Sequence, residues 1–149
     1  MPKARREVQF ATLPWRRAGQ GEVEVLLVTS RETRRWVLPK GWGKHGEAPR
    51  LAAAREAYEE SGVEGKVALR ALGHYGYLKL MKSGRVRAVR VAVHPLEVVR
   101  EHAEWPEKDV REKLWASPSE AASLVAEPEL QELLAGFVPQ NGKGGRKAN

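Results

Sequence analysis

The sequence predicts an α/β fold in which a mixed β-sheet lies between helical layers. Segments with β-branched or alternating apolar residues occupy much of the first hundred positions, and one alanine-rich amphipathic segment interrupts them. Two further helical segments follow near the end of the chain. Strands that surround one early helix, with helices again at the end, are typical of a sheet covered on both faces.

The first three strands are predicted from β-branched and alternating residues. They span residues 7–17 and 22–30, with the turn residues AGQG between them, and residues 35–39, where Pro39 ends the third. Residues 41–47, GWGKHGE, are rich in glycine and predict a loop.

The segment PRLAAAREAYEES, residues 49–61, predicts a helix with proline in its first turn and Gly62 at its close. A helical projection places five side chains on one side, which we expect to face the core: Leu51, Ala54, Ala57, Tyr58 and Ser61.

The second half of the chain predicts a hairpin, an irregular loop and a helical end. The corresponding ranges are a strand at 67–80, a turn at 81–84, its partner strand at 85–98, a loop at 102–112, a short strand at 114–117, a helix at 117–126 capped by Ser117, and a helix at 127–137 that ends near Gly136.

Composition bounds the class of protein. The chain has 149 residues, which is the size of one domain, and it contains no cysteine, which excludes disulfides and thiolate metal sites. No apolar run approaches the length of a membrane span, so we expect a cytoplasmic protein without membrane contact. We expect one domain at 8–138 between disordered basic termini at 1–7 and 139–149.

The net charge of +7 is concentrated at the ends and in one half of the domain. Residues 8–140 carry 20 basic and 18 acidic side chains, so most of the excess lies in the termini. Residues 65–96 have seven basic side chains and no acidic one, whereas residues 97–132 have ten acidic and four basic. This segregation favours a local site for a polyanion, although lysine and arginine also protect exposed strand edges.

Three glutamates crowd one side of the helix at 49–61. Glu56, Glu59 and Glu60 have the spacing of neighbours on a helix surface, near the end where the helix dipole disfavours negative charge. A divalent cation would remove this penalty, and carboxylates without histidine or cysteine suit Mg²⁺ or Mn²⁺. A solvated acidic face is the alternative for an isolated ExxEE pattern.

The longer segment around these glutamates resembles the Nudix box, GX5EX7REUXEEXGU, where U is a bulky aliphatic residue. Gly41, Glu47, the Arg55–Glu56 pair, the Glu59–Glu60 pair and the Gly62–Val63 pair fall at the specified positions. Ala57 is a small departure where a larger aliphatic is commoner. The resemblance implies a Nudix fold and hydrolysis of a nucleoside diphosphate linked to another moiety.

The resemblance also implies a metal shell. Glu56 and Glu60 would be the principal ligands, and Glu59 would be a further ligand or the general base. The backbone carbonyl at Lys40–Gly41 would complete the shell around Mg²⁺ or Mn²⁺. Such an ion neutralises phosphate charge and acidifies a water molecule.

Two other residues of the box are expected to support this shell. Arg55 would orient the carboxylates, and Glu47 would tie the loop to the helix. A glutamate outside the box is the base in some members of the family, and Glu97, Glu101 and Glu104 are the candidates in this chain.

Sequence outside the box is similar to the diphosphoinositol polyphosphate phosphohydrolase branch. The segments EVLLVTSRETRRWVLPKGW and HAEWPEKDVREKLWASPSEAA carry this resemblance, which implies diphosphoinositol polyphosphates or diadenosine polyphosphates as substrates. Such polyanions require a ring of cations. The residues expected to bind substrate are Ser30, Arg31, Arg35, Lys40, Lys44, Lys82, Arg87 and Lys113.

Other functions remain open from the sequence. An RNA 5′-end pyrophosphohydrolase, an ADP-ribose or nucleotide-sugar hydrolase, and a non-enzymatic Nudix-fold nucleotide sensor are the alternatives. Where the family has three glycines after the strand-ending proline, this chain has Lys40, Gly41 and Trp42. Trp42 could stack on a base or pack in the core, and so could Tyr75 and Tyr77. We expect a small-molecule partner, with nucleic acid less favoured, and a monomer or homodimer.

Overall fold

The computed structural model describes residues 7–140, which form one eight-stranded sheet and three helices. The basic segments predicted to be disordered lie outside this range, except for Glu7, Pro139 and Gln140. The elements in chain order are β1 (Glu7–Arg17), β2 (Val23–Thr29), β3 (Trp36–Val37), β4 (Lys40–Trp42), α1 (Pro49–Ser61), β5 (Val63–Val67), β6 (Gly73–Leu80), β7 (Val86–Glu101), β8 (Lys113–Ala116), α2 (Pro118–Leu124) and α3 (Pro128–Ala135).

The sheet is mixed, as the sequence predicted. Its central path runs β3–β2–β1–β7–β5, while β4 pairs with β1, β6 with β7 and β8 with β2. The pairing of β1 with β7 is parallel, and the other strand pairs are antiparallel. Because β7 is sixteen residues long, one end pairs with β6 and the other with β5.

Helices cover both faces of this sheet, which confirms the predicted layers. Alternate residues of β2 belong to different cores, since successive side chains of a strand point to opposite faces. Leu26 packs with Ala57 of α1. Val25 and Leu27 pack in the larger core, to which α2 and α3 contribute Ala121, Leu130 and Leu134.

Helix α1 begins and ends where the sequence predicted. Pro49 lies in its first turn, and Gly62 closes it with a φ of 75°, in the left-handed region that glycine adopts readily. A side chain at this position would also meet Trp105, because an added Cβ would lie 2.6 Å from the indole ring.

The predicted core face of α1 was wrong in part. Leu51 is 49% exposed, and Ala54 and Tyr58 are only partly buried, whereas the buried residues are Ala52, Ala53, Ala57, Glu60 and Ser61. The helix is therefore turned so that one of the glutamates faces inward. Hydrophobic pattern assigns glutamate to the surface, so it does not predict a helix that buries a carboxylate.

Two other predictions required correction. The strand predicted at 67–80 is β6 only from Gly73 to Leu80, because residues 68–72 bend where β7 changes partners, and Val67 is the last residue of β5, a strand that was not predicted. Part of the loop predicted at 41–47 is instead the short strand β4, which pairs with residues 9–11 of β1. This pairing fixes the backbone of Lys40 and Gly41 beside α1.

The remaining predicted elements are present with small changes at their ends. The Ser117 hydroxyl accepts a hydrogen bond from the Glu120 backbone N–H at 3.1 Å, which confirms the predicted cap of α2. Residues 102–112 contain no helix or strand, as predicted. Across the described range 7–140, no helix is both long and apolar enough to span a membrane.

Candidate active site

Arg55 contacts three of the glutamates of the box. Its Nε and Nη2 donate to the two carboxylate oxygens of Glu47 at 2.8 and 3.0 Å, a bidentate pair that ties the loop before α1 to the helix. Its Nη1 lies 3.2 Å from Glu56 Oε2 and 3.3 Å from Glu59 Oε2. Arg55 therefore contacts three carboxylates of the box at once, and the orienting role of Arg55 and the supporting role of Glu47 stay predictions.

Glu56 and Glu60 lie deeper, against β4. The Lys40 backbone N–H donates to Glu60 Oε1 at 3.3 Å. Gly41 leaves room for Glu56, since a Cβ on this glycine would lie 2.3 Å from its carboxylate carbon. Any side chain at residue 41 would therefore displace this carboxylate.

Arg111 reaches the same group from the loop between β7 and β8. Its Nη2 lies 3.4 Å from Glu60 Oε2, and Nη1 donates to the Thr29 backbone carbonyl at 2.9 Å. Its Nε also donates to Glu107 Oε1 at 2.6 Å. Sequence reasoning missed Arg111, because the only signal was a basic residue four positions after a glutamate in a segment without regular structure.

The glutamates differ in their affinity for protons. The hydrogen bond from Arg55 lowers the pKa of Glu47 to about 2. Burial raises the pKa of Glu56, and it raises the pKa of Glu60 to about 8, although the positive charges of Arg111 and Lys40 oppose the second shift. Glu60 is buried and Glu56 is partly buried, and we call these two residues the buried pair. Their raised pKa values show that the neighbouring cations do not offset the cost of burying negative charge there.

The donor set of the buried pair fits a hard divalent cation. Glu56 and Glu60 interact directly through their carboxylates, and the Glu56 carboxylate packs against Gly41 where a Cβ would otherwise stand. Within residues 7–140, no three carboxylate or imidazole side chains converge as a preformed metal cluster, and the Glu59 carboxylate lies 3.3 Å from Arg55. Glu56 and Glu60, whose pKa values are raised, are therefore the carboxylates that a divalent cation would neutralise.

A polar cleft of about 160 Å³ opens beside Glu60. We call it the polar compartment, and polar atoms form almost all of its walls. Lys40, Lys79 and Arg111 contribute cations from three different elements. The full lining is Gln9, Ser30, Arg31, Glu32, Lys40, Glu60, Lys79 and Arg111.

A second cleft of about 150 Å³ adjoins it and has mostly apolar walls. We call it the apolar compartment. Ser30, Glu32, Lys40 and Lys79 line both compartments, so the two are continuous. The remaining lining of the apolar compartment is Thr33, Arg35, Val37, Tyr77, Leu78, Leu80 and Glu127.

Four of the residues predicted to bind substrate lie in these compartments. Ser30 and Lys40 line both, Arg31 lines the polar one and Arg35 the apolar one. The Lys40 ammonium lies 4.9 Å from the centre of the Tyr77 ring, and burial lowers its pKa. Three cations of the two compartments, Arg31, Arg35 and Lys40, are therefore among those the sequence indicated.

The other four lie outside both compartments. Lys44 is exposed in the loop that Glu47 closes, and Lys82 is exposed in the β6–β7 turn. Arg87 pairs with Glu7 at 2.6 Å. Lys113 donates to the Ser61 backbone carbonyl at 2.8 Å, so it contacts the end of α1 and does not line the cleft.

Lys113 belongs to a set of groups that satisfies the last carbonyls of α1. The backbone N–H of Glu107 donates to Glu59 O at 3.0 Å, and the Trp105 indole N–H donates to Glu60 O at 3.2 Å. Lys113 completes the set at Ser61 O, with its ammonium 4.3 Å from the Trp105 ring centre. The loop after β7 thereby holds the turn that carries the glutamates.

The three glutamates considered as an external base do not line the polar compartment. Glu101 pairs with Arg16 at 2.8 Å, and Glu104 pairs with Lys108 at 2.8 Å. Glu97 lines a separate cleft of about 470 Å³, which also contains Trp15 and Phe137 and lies away from the box. Glu107 is the downstream glutamate whose charge acts on Glu60.

Comparison with protein families gives one clear match. A family model described as NUDIX domain matches residues 5–139. The sequence is 34% identical over 126 residues to Nudix hydrolase 21, chloroplastic, of Arabidopsis thaliana, covering 83% of this chain and 61% of that protein. It is also 34% identical over 130 residues to diphosphoinositol polyphosphate phosphohydrolase 3-beta of Bos taurus, covering 81% of this chain and 75% of that protein.

The chain spans about three fifths of the length of its Arabidopsis relatives, several of which are named as mitochondrial. The cytoplasmic location therefore stays a prediction. Solved structures share the fold. An Ap4A hydrolase from C. elegans superposes with a TM-score of 0.63 at 20% identity, covering 88% of this chain and 95% of that one. The NUDIX domain of Shewanella oneidensis NrtR complexed with ADP ribose gives 0.66 at 16%, covering 89% and 88%.

Proposed function

The chain belongs to the Nudix hydrolase family, and on this premise we propose that it is a metal-dependent pyrophosphohydrolase that cleaves a phosphoanhydride bond in a polyphosphorylated small molecule. The observation that carries the proposal is the buried Glu56–Glu60 pair, short of positive charge, beside a compartment lined by Arg31, Lys40 and Lys79. A cation at the pair and phosphates at the compartment satisfy both sets of charges.

The chain's own residues would position the substrate and the metal ligands. Glu56 and Glu60 would hold Mg²⁺ or Mn²⁺, with Lys40 and Gly41 at the adjacent backbone. When bound, the ion supplies charge neutralisation for phosphoryl oxygens and lowers the pKa of a water molecule. Arg55 would keep the carboxylates in place through its bonds to Glu47.

Cations of the polar compartment would bind the phosphate chain. Arg31, Lys79 and Arg111 come from separate elements, and Lys40 lies between them and the box. Preorganised cations that surround a phosphoryl group stabilise the charge that develops during its transfer. Glu59 would abstract the proton. Its side chain is partly exposed, and Arg55 contacts it through Nη1, at the end of the guanidinium group.

The substrate class supported by this site is a compound with several linked phosphates. Diphosphoinositol polyphosphates and diadenosine polyphosphates both meet this description. Relatives with either preference in their names share sequence or fold with the chain, namely the Bos taurus phosphohydrolase and the C. elegans Ap4A hydrolase. An RNA 5′ end or ADP-ribose would engage the same compartment through fewer clustered phosphates.

The test is phosphate release by purified protein with Mg²⁺ or Mn²⁺, measured against chelated controls. The panel contains a diadenosine polyphosphate, a diphosphoinositol polyphosphate, ADP-ribose and 5′-triphosphorylated RNA. We expect metal-dependent cleavage of at least one compound and its loss in Glu60→Gln. Glu64→Gln, an equivalent change just beyond α1, is expected to retain activity.

Two outcomes would contradict the proposal. Tight binding of a polyphosphate without turnover at any metal would favour a nucleotide sensor. Full activity in Glu60→Gln would remove the buried pair from the reaction.

A further inference from the structure

The face of the sheet that carries α1 is covered at only one end of β7. Ala57 of α1 packs there with Val63 and Leu96, where β7 pairs with β5. Toward its other end, β7 forms a hairpin with β6. Residues 82–88, at the tip of this hairpin, are exposed at every position. The hairpin therefore projects into solvent.

Apolar side chains form the open face of this hairpin. Side chains alternate along a strand, so Val86 and Ala88 lie on the same face of β7 as Leu96. Their cross-strand partners in β6 are Leu80 and Leu78, respectively. Leu78 and Leu80 are each 71% exposed, and Val86 is 58% exposed. We call these four residues of the hairpin the hairpin face, and adjoining exposed apolar side chains of this kind indicate a surface that binds another molecule.

Three cations surround the hairpin face. Lys82 and Arg85 lie in the exposed turn, and Arg90 is exposed on the same side of β7. Within residues 7–140, none of the three forms an ion pair. Residues 65–96 contain no acidic side chain at all. The surface therefore combines apolar side chains with positive charge that nothing in its own segment neutralises.

We propose that the hairpin face binds an anionic lipid surface. Its large apolar side chains enter the boundary between headgroups and acyl chains, and the three cations contact headgroup phosphates. This combination is the one by which peripheral proteins bind anionic membranes. The expectation of no membrane contact rested on the absence of a spanning segment, which a peripheral contact does not require. This lipid contact goes beyond the proposed function and does not depend on it.

Other occupants suit the hairpin face less well. A standard protein–protein interface buries about 800 Å² on each partner, which is more than three large apolar side chains and their neighbours supply. In a symmetric dimer the same surface would meet itself, so the cations would face a segment without carboxylates. A single-stranded nucleic acid would engage the cations, but the residues on this side of the hairpin include no phenylalanine, tyrosine or tryptophan for a base to stack on.

Vesicle sedimentation tests the proposal on the full chain. Vesicles of phosphatidylglycerol and phosphatidylcholine in equal parts are compared with vesicles of phosphatidylcholine alone. The buffer contains chelator and no substrate, because Leu80 also lines the apolar compartment. We expect at least about tenfold tighter binding to the anionic vesicles, since each cation near such a surface contributes about fivefold. Equal binding to both kinds of vesicle, or binding to neither, would overturn the proposal.

The apolar contribution is tested with two matched double variants. Leu80→Ser/Val86→Ser removes two side chains that lie opposite each other across the hairpin. Leu69→Ser/Val99→Ser removes the same residue types from positions outside the hairpin that are 70% and 68% exposed. We expect the first to weaken binding to anionic vesicles by at least about tenfold and the second to leave it unchanged. Equal affinities would overturn the proposal, because binding would then be attraction to the basic chain as a whole.

The position of the charge is tested in the same way. Lys82→Ser/Arg85→Ser removes the cations of the turn, and Lys66→Ser/Arg70→Ser removes the same charge from exposed positions outside the hairpin. We expect the first to weaken binding to anionic vesicles by about tenfold or more, and the second to weaken it several-fold less. Equal losses would assign the binding to net charge and overturn the proposal.

Sedimentation equilibrium without vesicles tests a second copy as the occupant. A wild-type dimer that Leu80→Ser/Val86→Ser dissociates, in a protein that binds neither kind of vesicle, would assign the hairpin face to a second copy and overturn the proposal. A monomer that binds anionic vesicles through the hairpin supports it. Neither result depends on hydrolysis, so failure of the lipid contact leaves the proposed function untouched.

Discussion

The outer side of the box, in the loop before α1, and its inner side, on α1 itself, carry the same residue type in opposite electrostatic states. On the outer side, Glu47 is paired with Arg55 through two hydrogen bonds, and its pKa falls to about 2. On the inner side, burial raises the pKa of Glu56 and Glu60, the latter to about 8. Arg55 satisfies Glu47 with two hydrogen bonds, whereas its single contact with Glu56 and the contact of Arg111 with Glu60 do not offset the burial of the inner pair.

This difference in pKa distinguishes a glutamate with a structural role, Glu47, from the two glutamates proposed to bind a metal ion, Glu56 and Glu60. A satisfied carboxylate can fix a loop to a helix, but it has no capacity for another cation. An unsatisfied buried pair is unstable on its own and gains most from a ligand of opposite charge. We infer that, of the four glutamates of the box, Glu47 supports the structure, Glu56 and Glu60 are available to a metal ion, and Glu59 is held by Arg55.

Removal of an inner carboxylate should give the largest effect. Glu56→Gln is expected to reduce kcat by more than about 100-fold, which is the upper range for residues that only orient a metal ligand. The decrease in kcat for Glu47→Gln should stay below about 100-fold, because Glu47 acts on the metal ligands only through Arg55. Steady-state kinetics of both variants at saturating Mn²⁺ provide the comparison, and a larger loss in Glu47→Gln would reverse the assignment of the two sides.

Loss of Arg55 should have the next largest effect. Arg55→Met frees Glu47, Glu56 and Glu59 together, so we expect a decrease of roughly 10- to 100-fold in activity and a higher Mn²⁺ concentration for half-maximal rate. Arg50→Met, at the first turn of the same helix, is the matched control. If Arg55→Met changed KM for substrate and left the metal dependence unaltered, Arg55 would be a substrate contact.

The pH dependence of stability should distinguish the two sides without any assay of activity. Glu60 has a higher pKa in the folded protein than its ordinary 4.5, so the folded state holds a proton that the unfolded state loses. Stability from this group therefore falls as pH rises from about 4.5 to about 8. In chelator, Glu60→Gln should melt above wild type at pH 9, on the order of 5 °C, and the difference should shrink at pH 5.

For Glu47, on the outer side of the box, the pH dependence of stability has the opposite sign. The pKa of Glu47 is lowered to about 2, so its contribution is present above pH 4.5 and is lost as pH falls toward 2. Glu47→Gln should accordingly lower the melting temperature near neutral pH, and its deficit should vanish in acid. Parallel melting curves that do not change with pH for either variant would contradict both pKa assignments.

The end of α1 should show the smallest effect. Lys113→Met removes the donor to Ser61 O, with an expected cost of about 1 kcal/mol in the free energy of unfolding. Lys108→Met, at an exposed neighbouring cation, should cost less. Denaturant unfolding measures both, and a loss of substrate affinity in Lys113→Met at unchanged stability would restore its predicted role in substrate binding.

Sequence reasoning succeeded where the determinants are local. Pro49, Gly62 and Ser117 mark the ends of helices because each has a backbone requirement that its neighbours reveal. The spacing of the Nudix box is likewise local, so the residues of one helix and the loop before it could be predicted from the sequence.

It failed where a position depends on contacts between distant segments. The helical pattern predicts Glu60 on the surface, but Arg111 and β4 enclose it. The hydrophobic periodicity of a helix carries no information about contacts with residues so distant in the sequence. Glu127 joins the cleft only because α3 packs against β6. The sequence also gives no sign that β7 exchanges partners along its length, so the break between β5 and β6 was not predicted.

The most direct test of the inner pair is Mn²⁺ binding followed by electron paramagnetic resonance of the free ion. We expect the wild-type protein to deplete free Mn²⁺, the Glu56→Gln/Glu60→Gln double variant not to deplete it, and Glu47→Gln to retain measurable binding. Undiminished Mn²⁺ binding by the double variant would contradict the assignment of the metal site to the buried side of α1.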